Sequence, residues 1–292
     1  MFNEQSVFCA AVAALKAHRQ HDSSTDMDEQ GNYYAGVEAE RRRSLFVLSL
    51  PRSLSTLVYH AACLSLHFEQ PAWTSDGELL NLDRFALAEG ELRQPGTKYT
   101  RHQDRPELFA ELARFLDRSV LPTGHAYKDV VHPFVTAAWL ADKQYAVLKI
   151  QRDVADVALS MMAQGWYYPA EAGAEHVPIE EAIIEGLLHA WAAIDALPGP
   201  VIEYDAVIAD EGVLHRALAG LYPDAAPRSV RFINDAFRGE SERVIARRSS
   251  ERYRKYADLV TRISERLRIR VSVTATEGAP YAETTHAMRV TL

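Results

Sequence analysis

Apolar positions fall along the chain in two kinds of run. Leu45 to Leu50 is short and almost continuously apolar, the pattern of a strand buried on both faces of a parallel sheet. Ala146 to Ile150 repeats it, and Tyr127 to Val131 and Val201 to Tyr204 read as further strands. Between them the spacing turns helical. Leu57, Val58, Ala61, Ala62 and Leu64 follow the first strand, and Leu108, Phe109, Leu112, Phe115 and Leu116 share one face of Pro106 to Arg118. Val154, Val157, Ala158, Met161 and Met162 follow the strand at Ala146. The clearest helix runs from Ile179 to Leu197, with Ile183, Ile184, Leu187, Leu188, Trp191 and Ile194 on one side and Glu180 and Glu181 in its first turn. A last helix is expected through Tyr256, Leu259, Val260, Ile263 and Leu267. Strands alternating with helices predict an α/β fold.

The ends are different. Residues up to about Arg19 pattern as an amphipathic helix, and Gln20 to Glu40 is rich in Asp, Ser, Gln and Gly, as a surface linker would be. The expected division is therefore 1–43 as helix and linker, 44–270 as the α/β domain, and 271–292 as a tail. Composition changes this picture little. The 292 residues are 48% apolar and 25% charged, ordinary for a soluble globular protein. A formal net charge of −8 argues against a general nucleic-acid binder, while leaving room for a local basic pocket. Only Cys9 and Cys63 are present, so no disulfide framework is expected, and a reducing cytoplasm is the natural setting. No apolar run reaches the roughly 18 residues of a membrane span. Glu4 stands where a secretory signal would carry positive charge.

The chemistry concentrates where the first strand ends. Pro51 stops it, Arg52, Ser53, Ser55 and Thr56 form a polar turn, and a helix begins at once. Strand, turn and helix N-terminus direct unpaired N–H groups at one spot and favour an anion, so a phosphate-bearing ligand is expected. The GxxxxGK pattern of a P-loop NTPase is missing, and the turn has no Lys. The wording PRSLSTL, Pro51 to Leu57, instead resembles the 5'-phosphosulfate loop of the sulfotransferase family. Leu54 replaces the usual Gly of that loop, a substitution that resists positive φ. A second stretch, from Arg152 through Asp153 and Asp156 to Ser160, resembles the family's 3'-phosphate motif, with Arg and Ser eight residues apart and Val154 in place of a Pro. On spacing alone, an Arg at a helix start and a mid-helix Ser bonded to the backbone would be the simpler account, because eight helical residues rise about 12 Å. Two such motifs in the family's order outweigh it.

The resemblance implies a three-layer, P-loop-like α/β fold with a central parallel sheet flanked by helices. It also implies sulfuryl transfer from 3'-phosphoadenosine-5'-phosphosulfate to a hydroxyl or amine of a small-molecule acceptor, with no metal. Arg52 and the loop Ser53, Leu54, Ser55, Thr56 and Leu57 would hold the 5' end of the donor, and Arg152 and Ser160 its 3'-phosphate. Lys128, in a KD pair at a strand end, would hold the transferring group. Glu78 in the loop after the first helix, or His132 beyond Lys128, would serve as base. Glu78 can equally be read as a helix N-terminal residue and His132 as a turn residue. Trp166, Tyr167 and Tyr168 form either an acceptor wall or a loop anchor, and residues 86–104 either a lid or a surface excursion. Arg238 to Arg270 carries eleven Lys or Arg against five Asp or Glu, and Arg247 or Arg248 is a candidate for the nucleotide pocket. Two other classes stay open. One is a P-loop small-molecule kinase, which would require magnesium, and the other a non-catalytic nucleotide-binding protein. No nucleic-acid or membrane partner is expected, and a homodimer is left open.

Overall fold

The computed structural model describes residues 42–74, 76–80, 97–210, 212–228, 240 and 242–269. The expected N-terminal helix and linker, the tail at 271–292, and residues 86–96 of the polar excursion lie outside these. The elements in order are β1 (Leu45–Ser49), α1 (Ser55–Leu66), α2 (Pro106–Arg118), β2 (Ala126–Asp129), α3 (Pro133–Leu140), β3 (Ala146–Gln151), α4 (Val154–Ala163), a 3-10 turn (Tyr168–Ala172), α5 (Ile179–Asp195), β4 (Val201–Glu203), α6 (Tyr204–Ala209), α7 (Gly212–Leu221) and α8 (Glu251–Leu267).

The four strands form one parallel sheet in the order β2-β1-β3-β4. The near-continuous apolar runs follow from burial on both faces. Phe46 and Leu48 of β1 point into a core shared with α2, α3, α4, α5 and α8, while Leu45 and Val47 point into a core shared with α1, α6 and α7. The result is a three-layer α/β fold of P-loop-like arrangement, helices above and below a parallel sheet. From β1 the chain passes to β2 on one side, and from β3 to β4 on the other. Their following helices, α1 and α4, pack on opposite faces. In open sheets this reversal leaves a crevice at the carboxyl ends of the two central strands, where ligands bind. Arg52 and Arg152 both stand there.

Several elements differ from the sequence expectation. β2 stops at Asp129 rather than Val131, because the Asp129 carboxylate turns back to accept from the N–H groups of Val131 and His132, each at 2.9 Å. β4 gives way to α6 at Tyr204. α3, α6, α7 and the 3-10 turn were not anticipated. The turn is pressed on α5 so closely that a methyl group at Gly186 would lie 1.8 Å from the Pro169 carbonyl oxygen, and one at Gly173 2.1 Å from that of Ala182. Gly186→Ala is therefore expected to destabilise the fold by about 1–3 kcal/mol in urea unfolding, through forced separation of turn and helix. Gly220→Ala in α7, whose added methyl meets nothing within 4 Å, should instead be neutral or mildly stabilising. Equal effects of the two changes would contradict the packing argument.

Candidate active site

The β1–α1 loop holds two non-glycine residues in the left-handed region, Arg52 at φ 63° and Leu54 at φ 56°, ψ 21°. Leu54 thus takes a conformation that Gly adopts freely, at a cost of about 1–2 kcal/mol for such a residue. Its side chain packs partly buried against the core on the α1 face, which offsets that cost. Leu54 is also the N-cap of α1 and supplies no side-chain cap, leaving the first N–H groups of that helix without a side-chain acceptor from it. Left-handed residues at a helix start turn successive N–H groups into one concavity, a shape that receives anions. Ser53 and Ser55 are buried in the loop and Thr56 is half-buried. The Leu57 side chain lies in the core, so only its backbone can face a ligand.

Arg152 precedes α4 in extended chain, because Asp153 caps the helix and accepts from Ala155 N at 2.8 Å and Asp156 N at 3.1 Å. Arg152 thus stands outside the helix that carries Ser160, so the eight residues between them are not a full helical rise. Both meet Arg52. The Arg152 guanidinium donates to the Arg52 carbonyl, and the Arg52 Nε donates to Ser160 Oγ at 3.0 Å. Arg152 also lies over the Tyr204 ring at 4.2 Å from its centroid, and its Nη2 is 3.9 Å from Glu240, which accepts from the Tyr204 hydroxyl at 2.6 Å. Arg52 in turn lies beneath Trp166, 5.6 Å from its ring centroid, so this half-exposed aromatic borders the loop. Tyr167 is exposed.

The other half of the crevice is a buried charge cluster at the end of β2. Lys128 Nζ bonds Glu78 and reaches Asp76 at 3.2 Å. Glu78 accepts in addition from Val130 N at 3.0 Å and bridges to Lys128 as a strand partner, not as the first residue of a helix. Burial raises the Glu78 carboxyl to about 7, against the pull of Lys128. Asp129 is raised by burial too, although the Thr136 hydroxyl and the His132 and Val131 N–H groups bond it. Burial disfavours the Lys128 charge, but Glu78 and Asp76 outweigh this and hold its pKa above the ordinary value. His132, the N-cap of α3, is 3% exposed with Nε2 3.5 Å from Thr97 Oγ1, and burial lowers it to about 4. It is neutral near pH 7 and a weaker base than Glu78. Tyr168 ties the halves together: its phenol is shifted upward by burial and feels Glu78, Arg52 and Asp129, while its ring rests on Tyr99 at 5.4 Å and under the Lys98 ammonium at 4.8 Å.

The structure thus brings Arg52, Arg152 and Ser160 together, and separately joins Lys128 to Glu78, with His132 beside Asp129. Arg248, a sequence candidate for the pocket, is occupied by Asp156 and by a two-pronged pair with Asp205 at 2.7 and 3.2 Å. Arg247 stands nearer the site, 3.9 Å from Glu240. Asp76, Tyr99, Tyr204 and Glu240 were not among the site residues read from the sequence. Among the described residues no group of three His, Cys, Asp or Glu converges to hold a metal, and no helix is long and apolar enough to cross a membrane.

No family model matches the chain, and no curated protein matches it. Among solved structures, a sulfotransferase domain from the curacin biosynthetic pathway is similar at 11% identity, covering 79% of this chain and 99% of that one, with a TM-score of 0.41. At that identity and score the likeness transfers no residue role.

The site has a pH signature. A carboxyl raised from 4.5 to about 7 favours the folded state while protonated, so the Glu78 contribution is full below pH 4.5 and is lost as pH rises through about 7. His132, lowered from 6.5 to about 4, contributes in the opposite sense, and its contribution is lost as pH falls through about 4. Glu78→Gln removes only the first. Its unfolding free energy, relative to the unaltered protein, should increase steadily from pH 5 to pH 7, whereas a flat difference would contradict the raised carboxyl.

Proposed function

We propose that the protein transfers a sulfuryl group from 3'-phosphoadenosine-5'-phosphosulfate to a hydroxyl or amine of a small-molecule acceptor. The observation that carries this reading is the meeting of two distant motifs on one residue: the Arg52 side chain donates to Ser160, and Arg152 donates to the Arg52 backbone carbonyl. A loop concavity with one guanidinium at its mouth and a second behind it suits a ligand with phosphates at two places. The donor nucleotide is such a ligand.

In this scheme Arg52 and the N–H groups of Ser53 to Thr56 take up the negative charge that gathers on the 5'-phosphate as it leaves. Arg152 and Ser160 serve the 3'-phosphate, away from the breaking bond. The acceptor oxygen forms a bond to sulfur as the bond from sulfur to the phosphate oxygen breaks, in line, and its proton passes to the Glu78 carboxylate. A carboxyl at about 7 is a stronger base than an ordinary glutamate and is still substantially ionised at neutral pH. Lys128, bonded to Glu78, keeps a positive charge beside the transferring group and stabilises the ionised base. His132 is the second candidate base, weakened by its burial.

Arg52→Ala should lower kcat by about 100-fold or more while the protein stays folded, since it removes charge stabilisation at the leaving group. Arg152→Ala should chiefly weaken binding of adenosine 3',5'-bisphosphate, by about 10- to 100-fold in calorimetry. The rate should rise with pH through about 7 and lose that rise in Glu78→Gln. Wild-type kinetics in both arginine variants would overturn the assignment.

A further inference from the structure

The surroundings of Arg152 hold a carboxylate where a ligand anion is expected. The Arg152 side chain is 4% exposed, and its Nε and Nη2 have no hydrogen-bond partner among the described residues. Arg247 Nη1 is buried and likewise without one. Between the two guanidinium groups lies Glu240, whose Oε1 is 3.9 Å from Arg152 Nη2 and 3.9 Å from Arg247 Nη2. At that distance the charges attract, but no hydrogen bond forms. Glu240 is held by other hands: Tyr204 donates to Oε1 at 2.6 Å, and Arg243 to Oε2 at 3.2 Å. Arg247 is further shared with Asp156, 3.5 Å away. Buried N–H groups left unbonded are destabilising and favour an acceptor that can reach them. A planar carboxylate tethered to Tyr204 cannot serve both forks, whereas a phosphate carries three terminal oxygens and up to two charges.

We infer that Glu240 is a resident counter-ion of the Arg152–Arg247 pair, exchanged for a phosphate group of the ligand, and that it thereby selects a dianionic phosphate over weaker anions. Its carboxylate offsets one of the pair's two positive charges, and a ligand must offer both more charge and more acceptor oxygens to displace it. The inference rests on the reading that Arg152 receives a phosphate and adds the group that competes for that place.

Glu240→Gln tests it, because glutamine keeps the size and an oxygen for Tyr204 but removes the charge. Calorimetry with adenosine 3',5'-bisphosphate should show about tenfold tighter binding in the variant, an effect in the range expected of a charge near 4 Å in a partly buried site. Adenosine 5'-monophosphate, without the 3'-phosphate, should show no gain. No gain with the bisphosphate, or equal gains with both nucleotides, would overturn the inference. Arg247→Gln, at a partly exposed position, is the reciprocal variant. It should lose about tenfold for the bisphosphate and nothing for the monophosphate, and an unchanged bisphosphate affinity would count against the site. If the unaltered protein binds neither nucleotide, the proposed function fails, and inorganic phosphate then decides the inference separately. A gain in Glu240→Gln that Arg152→Ala abolishes in the same background keeps it, and the absence of any such gain ends it.

Discussion

Arg152 reaching across to the Arg52 carbonyl is the contact on which the geometry of the β1–α1 loop depends. The loop it secures contains two left-handed non-glycine residues within three positions, a shape the chain would not hold unaided. The sheet order puts the ends of β1 and β3 side by side, α1 and α4 leave on opposite faces, and the guanidinium from one strand end props the turn at the other. Removing that prop costs the loop a charge-assisted hydrogen bond and, under the proposed function, a ligand contact too. Under that proposal, binding and loop conformation are coupled through one side chain.

Around this contact the site divides by charge. On the β1–β3 side the guanidinium groups outnumber the carboxylates that directly bond them, and hydrogen-bonding capacity is left over. At the end of β2 the balance reverses, with Asp76, Glu78 and Asp129 gathered near Lys128. Burying Glu78 and Asp129 near one ammonium is expensive, and the upward displacement of both is the visible form of that expense. Such arrangements persist where proton transfer benefits from them. Tyr168, pinned through the close approach of its turn to α5, spans the two sides.

Much of the scaffold was legible because its signals are local. The double-faced apolar runs of β1 and β3 and the 3.6-residue period of α5 each specify an element without reference to the rest of the chain. α3 was missed although Pro133 at its first turn and the apolar residues that follow are a start signal, because the stretch is short. The two phosphate motifs could be read as words, but not their manner of meeting. Spacing alone spoke against pairing Arg152 with Ser160, the resemblance implied it, and the fold makes Arg52 their common partner. Leu54 looked like an obstacle, since propensity weighs only the residue, while its packing on the α1 face supplies the compensation. Glu240 and Tyr204 were out of reach of the sequence, for their importance comes from sharing a neighbourhood with Arg152 across long separations.

The most direct test of this account is a crystal structure of the protein with adenosine 3',5'-bisphosphate. It predicts the 5'-phosphate within hydrogen-bond reach of Arg52 and of the N–H groups that open α1, and the 3'-phosphate on the guanidinium of Arg152. A nucleotide bound elsewhere, or one that leaves either arginine without a phosphate, would contradict it.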